Sequence, residues 1–281
     1  MPSLETYRER LLRTVGPYYK SSATSGATTT LVEANAPIKS SISQDDRWQD
    51  YWLLRPDAAA AGDRVRVVST YAPSTGTFTP DLAWTNSPGT EQYELSGIIE
   101  PNSELQDILN EALKRIWVPF EFSFTPTADI TRHSLSAYSW IIHKWQVLKV
   151  GTLNSSLNRE KYDPYAQSSI KGELTQYAAG VWYLDHYPYK LSTSDKVYVL
   201  ALRRAYDLCR ASSAGVFGDR SGLAAEAHEA IPDEEWVAAA AMIEYLDRYG
   251  NWVAQNDQRE MTRMKQEAVN KFNRMTMSRI E

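Results

Sequence analysis

Histidine is the residue type in this chain best suited to acid–base or metal chemistry, and the sequence contains four of them: His133, His143, His186 and His228. No two of them stand four residues apart and none clusters with cysteine, so their spacing does not predict a zinc site. His186 directly follows Asp185. This pair leaves two interpretations open: an acid that orients a catalytic imidazole, or a local hydrogen bond without chemistry.

Motifs for nucleophilic or phosphate chemistry do not occur in the sequence. The run Gly218–Gly222, GDRSG, lacks the G-x-S-x-G spacing of a nucleophile elbow, and there is no glycine-rich phosphate loop. Asp45 and Asp46 precede Trp48, which matches a glycosidase acid beside a sugar-stacking ring, but a glycosidase needs two carboxyl groups at a defined separation. Adjacent acids in a loop are usually solvated or cap a helix. We therefore predict no enzymatic activity, no catalytic residue, no cofactor and no bound metal.

Composition narrows the class of protein further. The chain has 281 residues and a formal net charge of −5, which disfavours a surface that grips nucleic-acid phosphates but suits one that lets DNA pass. Cys209 is the single cysteine, so no intrachain disulfide is possible and a reducing compartment is favoured. The first residues lack an apolar signal region, and no apolar run reaches the roughly 18 residues of a membrane span.

Aromatic residues are numerous, with 9 Trp and 17 Tyr. Such residues fill the cores of small β-domains, and they are also enriched at large protein interfaces. Both interpretations apply to this chain, and core filling accounts for the larger share.

The N-terminal part combines a helix with a β-module. Residues 1–20 are predicted to form an N-terminal helix, because Leu4, Tyr7, Leu11 and Val15 recur at helical spacing. Residues 21–100 then follow a period of two, with turns every 8–12 residues, as in a small sandwich or barrel.

Residues 101–118 are predicted to form a core helix. Ser103 and Gln106 match a capping box, in which each side chain accepts a hydrogen bond from a backbone N–H group at the helix start. The helix ends before Pro119. One apolar stripe runs along it: Leu105, Ile108, Leu109, Ala112, Leu113 and Ile116.

Residues 119–210 are predicted to form a second β-rich module that includes a polar loop over residues 154–174. Within the module, residues 130–148 fit either strands or a helix. A Gly/Ser-rich linker covers residues 211–231, and C-terminal helices cover residues 232–281. These patterns predict an α+β fold, in which the N-terminal, central and C-terminal helices form one bundle and the small antiparallel β-modules are insertions.

The last helix carries a narrow apolar stripe beside a basic polar face. Such a stripe suits a helix laid in a partner's groove, and it also suits ordinary packing on the bundle. Both interpretations stay open. The predicted anchors are Met261, Met264, Phe272 and Met275, and the predicted rim residues are Arg263, Lys265 and Arg274.

The module from Ser25 to Leu95 resembles one found in virion structural proteins of tailed bacteriophages, with a Gly/Thr-rich start, an Arg/Val strand and a T-G turn. The segments ELQDILNEALKRIW and IPDEEWVAAAAMIEYLDRY are similar to an early and a late helix of head-to-tail adaptors. The positions that carry the resemblance of the module are Gly62, Arg64, Val65, Arg66, Val67, Thr75, Gly76, Thr79 and Trp84.

The resemblance implies a neck or connector protein that folds in the host cytoplasm and is incorporated into the neck or tail of the virion. Such a protein forms a ring, a dodecamer in the family, beneath the portal protein and above tail tube or nozzle proteins. Double-stranded DNA passes through without specific binding, no membrane is involved, and the C-terminal stripe would contact the portal. Two rival functions remain: a tail-associated glycan-binding or glycan-degrading protein, and a capsid or tail decoration protein.

Overall fold

The computed structural model describes residues 4–34, 48–97, 99–101, 103–128, 130–154, 156–167, 171–178, 181–187, 191–206, 233–253 and 258–280. The chain divides into two units. Of the described chain, the first unit holds residues 4–113 and 233–276, and the second unit holds residues 114–206 and 277–280. The predicted linker, residues 211–231, lies outside the described residues.

Four long helices are described. They are α1 (Leu4–Val15), α2 (Ser103–Arg115), α4 (Glu234–Val253) and α5 (Gln258–Ile280), and all but the C-terminal residues of α2 and α5 belong to the first unit. A short helix, α3 (Pro164–Gln167), belongs to the second unit.

The first unit contains a seven-stranded antiparallel sheet with the spatial order β1-β7-β4-β5-β6-β3-β2. Alternate residues of the strands point into one core, as the period of two requires. Leu53, Leu95 and Phe78 are among its fully buried side chains. The strands are β1 (Tyr18–Ser22), β2 (Ser25–Ala27), β3 (Thr30–Val32), β4 (Trp52–Leu54), β5 (Val65–Ala72), β6 (Thr77–Pro80) and β7 (Gln92–Ser96).

Helix α1 is joined to this sheet by a buried ion pair. Its apolar face buries Tyr7, Leu11 and Leu12, and Arg8 on the same helix is also fully buried. The Arg8 guanidinium donates to Glu94 on β7 at 3.1 and 2.5 Å. This ion pair holds the helix to one position on the sheet, because neither buried charge has water as an alternative partner.

Helices α4 and α5 run antiparallel, since Trp236 near the start of α4 lies beside Phe272 and Gly250 near its end lies beside Met261. Helix α1 packs against α4. The alanine-rich middle of α4 is buried, which lets neighbouring helices approach closely. Tyr249 on α4 donates a hydrogen bond to Glu104 on α2. Burial, together with this carboxylate, raises the pKa of Tyr249 to about 12.

The second unit is built from two three-stranded antiparallel sheets, ordered β10-β13-β8 and β11-β12-β9. Its core draws on both sheets, with Phe122, Val197 and Val199 from one and Leu174 and Leu184 from the other. The strands are β8 (Trp117–Phe124), β9 (Arg132–Ser134), β10 (Val147–Asn154), β11 (Lys171–Ala178), β12 (Val181–Tyr187) and β13 (Asp195–Arg204).

The segment predicted as a polar loop packs on this unit. Tyr165 in α3 donates a hydrogen bond to Glu121 on β8 at 2.8 Å, and Arg159 pairs with the same carboxylate. Gly151 on β10 permits the approach, because a Cβ there would lie 2.5 Å from the carbonyl oxygen of Pro164.

The predicted helical bundle with inserted β-modules is wrong. The described chain is mostly β-structure, with a seven-stranded sheet, two three-stranded sheets and only four helices of seven or more residues. The reason is that the sheets bury cores of their own. A segment with its own core is a principal layer of the fold, and the helices add to it.

Asp63, just before β5, fixes the loop that follows β6. Its buried carboxylate accepts hydrogen bonds from the backbone N–H groups of Thr85 and Asn86, each at 2.8 Å. The N–H of Thr85, followed by that of Asn86, holds the pKa of Asp63 below its usual range. The ionised form is therefore the one that stabilises the fold.

We expect Asp63→Asn to lower the melting temperature at neutral pH, because the amide offers one acceptor where the carboxylate offers two. Since the folded-state pKa is depressed, the wild-type advantage is complete above the unfolded pKa of about 3.9 and declines as pH falls through the folded value. Thermal melts of wild type and Asp63→Asn, from neutral pH down to below the unfolded pKa, measure this difference in stability. The exposed Asp57→Asn is the control, and a difference that does not change with pH would contradict the assignment.

Candidate functional site

The sequence positions considered for catalysis do not form a described site. Asp45 and Asp46 lie outside the described residues. Asp185 on β12 accepts from Arg132 at 2.6 Å and from Thr175, both of them neighbours in its own sheet. These contacts fit a structural ion pair on the sheet.

The histidines considered for catalysis or metal binding also form no site among the described residues. His228 and the side chain of His186 lie outside the described residues. Within the described residues, no group of three or more His, Cys, Asp or Glu side chains is placed to hold a metal ion.

Several residues predicted to bind a partner pack on the neighbouring helix instead of pointing away from it. Met261 lies so close to Gly250 on α4 that a Cβ there would stand 2.6 Å from its sulfur. The Phe272 ring lies 6.3 Å from the buried ring of Trp236. Lys265 pairs with Asp247. This part of the α5 stripe therefore holds α5 to α4.

The other residues predicted to bind a partner are exposed or half-buried. Arg263 is exposed and pairs with Glu267 one helical turn on. Arg274 is exposed and Met275 is half-buried. Met264 is half-buried and lines a groove together with Arg263.

This groove, which we call the helix groove, runs over α4 between α1 and α5 and has a volume of about 400 Å³. Its floor is made of small and flexible apolar side chains, and its rim is mostly cationic. The floor consists of Ala238, Ala239, Met242, Met264 and Ala268, and the rim of Arg10, Thr14, Arg263, Glu267 and Lys271.

The electrostatics of the rim centre on Glu235 at the start of α4. Its carboxylate accepts from Lys271 at 3.0 Å and from Arg10 at 3.2 Å. The hydrogen bond and charge of Lys271, with a smaller contribution from Arg10, hold the pKa of Glu235 below its usual range. One carboxylate on α4 thereby joins a cation of α1 to a cation of α5.

A second candidate surface lies in the second unit and was not predicted from the sequence. Ile142, Trp145 and Leu148 are exposed large apolar side chains within seven residues of chain, and Trp145 is 53% exposed. We call these three residues the 142–148 surface. Clustered exposed apolar side chains mark interaction sites more often than scattered ones do.

Gln146 positions the 142–148 surface. It is fully buried, and its Oε1 accepts from the backbone N–H groups of Ile142 and His143 at 2.8 Å each. Its Nε2 donates to the carbonyl oxygens of Trp140 and Leu202 at 3.2 Å each. One side chain thus satisfies four backbone groups and ties the loop before β10 to β13.

Aromatic and basic groups flank Trp145. Its ring meets Trp117 edge-on with centroids 4.9 Å apart, and His143 lies nearly parallel to it at 5.9 Å. The guanidinium of Arg204 lies 5.0 Å from the centre of the Trp117 ring, which is a favourable cation–π distance. The result is a rigid aromatic corner with positive charge beside it.

Leu148 is exposed because β10 is irregular at that point. The register between β10 and β13 shifts between Val147 and Lys149, which leaves Leu148 in a bulge. A bulge redirects a side chain out of the alternation of its strand.

One feature of the sequence points to this surface. Ile141 and Ile142 are adjacent, and adjacent side chains of an extended chain face opposite sides, so both cannot enter one core. In the structure Ile141 is buried and Ile142 is exposed.

No protein-family model matches this chain, and no curated protein matches it either. No solved structure matches its fold. Among the described residues, none of the helices has the length and apolar character required to cross a membrane.

Proposed function

We propose that this chain is a virion structural protein of a tailed bacteriophage, a head-to-tail adaptor that forms a ring beneath the portal. In this role it joins the capsid to the tail tube or nozzle proteins in the virion neck. It lets double-stranded DNA pass without specific binding and performs no catalysis. The observation that carries the proposal is the helix groove, which supports a role in holding another protein.

The helix groove has the chemistry of a helix-binding site. Alanine floors permit close approach of a partner helix, and methionine side chains adapt to the shape of an inserted apolar residue. The rim carries three cations, Arg10, Arg263 and Lys271, and two carboxylates, those of Glu267 and Glu235, so its net charge is positive. A portal segment that fits would therefore be an amphipathic helix with acidic residues beside its apolar stripe.

The predicted partner residues divide into two groups under this proposal. Met261, Lys265 and Phe272 hold α5 in place, whereas Arg263 and Met264 would contact the portal directly. In this arrangement α5 supplies one wall of a groove that receives the partner.

We expect Met264→Glu to abolish co-sedimentation with the portal protein while the fold is retained, because it puts a charge on the apolar floor. Co-sedimentation with purified portal, with negative-stain microscopy of the pellet, measures the loss, and circular dichroism checks the fold. Gln266→Glu, on an exposed part of the same helix, is the matched control. Wild-type levels of portal binding by a folded Met264→Glu protein would refute the docking site.

A second candidate function, glycan binding by a tail-associated protein, is favoured by one observation. The exposed Trp145 ring beside Trp117 resembles the flat aromatic platforms on which sugar rings stack. Binding of host-surface glycans that disappears with Trp145→Ala, in a chain that does not bind portal, would favour this candidate over the adaptor.

A further inference from the structure

We propose that the 142–148 surface of one copy of this chain docks on the Asp81–Leu82 loop of a second copy, in a head-to-tail contact between unlike surfaces. The proposal rests on the ring assembly proposed above and names the contact within it. It is carried by two observations: the charge of each unit and the position of the most exposed apolar side chains.

The two units carry opposite net charge. Residues 114–206 and 277–280, which make up the described second unit, contain 13 Lys and Arg against 7 Asp and Glu. Residues 4–113 and 233–276, which make up the first unit, contain 15 Lys and Arg against 23 Asp and Glu. A chain with one basic and one acidic unit attracts further copies so that unlike units meet.

The two most exposed large apolar side chains lie on these oppositely charged units. Among the described residues, Leu82 of the first unit is 65% exposed and Trp145 of the second unit is 53% exposed. Leu82 lies next to a negative charge and Trp145 lies near positive charges, in agreement with the net charge of the unit that holds each. The exposed Asp81 precedes Leu82, whereas Arg204 and the exposed Lys149 lie near the 142–148 surface in space or sequence.

The Leu82 loop is held in one conformation, as a docking residue requires. Arg66 on β5 donates to the carbonyl oxygens of Leu82 at 3.1 Å and of Ala83 at 3.4 Å. Asp81 accepts a hydrogen bond from the backbone N–H of Val67 at 3.0 Å. Neither anchor uses the Leu82 side chain, which stays exposed.

Trp145 is also held in place, by Gln146 through the backbone and by Trp117 and His143 through ring contacts. Two preformed surfaces lose little conformational entropy when they meet. Because the surfaces differ, each copy can bind one neighbour on each side. Repeated contacts of this kind close into a ring or grow into a filament, according to the rotation between copies.

Nucleic acid is the other partner that basic and aromatic groups can bind. Three exposed or half-buried cations of the second unit are already paired within it: Lys144 with Glu173, Arg132 with Asp185, and Arg159 with Glu121. The net charge of −5 on the whole chain also disfavours a surface that grips a phosphate backbone, whereas the acidic first unit of a second copy supplies the opposite charge. An acidic protein surface is therefore favoured over a nucleic acid.

The test uses sedimentation velocity and native mass spectrometry of the full chain over a concentration series, at low and high salt. Wild type is expected to self-associate, and less so at high salt, because screening weakens attraction between exposed charges. Trp145→Glu and Leu82→Glu are each expected to weaken self-association by at least about 30-fold, the effect of losing a central contact residue. Leu157→Glu, at a 40% exposed site elsewhere in the second unit, is the matched control and is expected to behave as wild type.

Mixing the two variants tests whether the contact joins unlike surfaces. Trp145→Glu keeps its Leu82 loop and Leu82→Glu keeps its 142–148 surface, so an equimolar mixture is expected to form a dimer with one copy of each. The proposal is overturned if wild type stays monomeric throughout, if either variant associates as wild type does, or if the mixture does not pair. It is also overturned if Trp145→Glu removes binding to DNA fragments while self-association is unchanged.

Portal co-sedimentation separates this contact from the proposed function. If wild type self-associates through Trp145 but does not bind portal, the contact stands and the adaptor function is wrong. If Trp145→Glu still forms complete rings on portal, the adaptor function stands and the contact is wrong.

Discussion

Replacing Glu94 by alanine is expected to lower the free energy of unfolding by about 3–5 kcal/mol, because it leaves the buried Arg8 guanidinium without its charged partner. Both side chains are shielded from water, at 0% and 1% exposure, so solvent cannot replace the lost contact. Burial, followed by the charge of Glu94, raises the pKa of the nearby Tyr18. Denaturant unfolding followed by circular dichroism measures the change.

Two comparisons isolate the buried charge. The double variant Arg8→Met/Glu94→Leu is expected to recover most of the lost stability, since an apolar pair of similar size often equals a buried ion pair. Glu267→Ala breaks the exposed pair with Arg263 and is expected to change stability by less than about 1 kcal/mol. If Glu94→Ala is no more harmful than Glu267→Ala, the pair does not hold α1 to the sheet.

Helices were the elements that the sequence predicted best, because their pattern is local. The apolar stripe that begins at Leu105 is buried in α2. The predicted Ser103–Gln106 capping box stays a prediction, because the side chain of Ser103 lies outside the described residues. Among the described residues, reciprocal hydrogen bonds near the helix start join Glu100 and Glu104.

The fold class was wrong because sheet formation depends on pairs that are distant in sequence. Strand β1 pairs with β7, so that Tyr18 faces Ser96, and three strands of that sheet have only three residues each. A three-residue strand is too short to display a period of two. The alternative helix over residues 130–148 is also wrong, because the segment contains β9 and the start of β10.

Buried charge and exposed apolar surface were missed for a similar reason. Residue-type averages place arginine outside and tryptophan mostly inside. Arg8 and Arg55 are buried through partners in distant strands and loops, such as Glu91 for Arg55. Trp145 is exposed because Gln146 binds the carbonyl of Leu202, 56 positions away. No local pattern encodes either contact.

Replacing Gln146 by leucine is expected to destabilise the second unit by about 3 kcal/mol or more, although the two side chains are similar in size. The substitution removes four hydrogen bonds, so the buried carbonyl of Leu202 and the part-buried backbone groups of Ile142, His143 and Trp140 lose their bonds to this side chain. Each buried group left unsatisfied costs about 1–3 kcal/mol. Self-association should fall as well, even though Trp145 is retained, because its loop is no longer tied to β13.

The variant Gln146→Glu separates hydrogen bonding from packing. An ionised carboxylate still accepts from Ile142 and His143 but opposes the carbonyl oxygens of Trp140 and Leu202, whereas the protonated acid can donate to one of them. Burial and these carbonyls raise the folded-state pKa of that carboxyl above its unfolded value. The stability of Gln146→Glu relative to wild type is therefore greatest below the unfolded-state pKa of this carboxyl, and it is lost as pH rises through the folded-state pKa. Thermal melts across this pH range test this dependence, and Gln146→Leu is expected to show none. Equal pH profiles for the two variants would mean that Gln146 acts through packing alone.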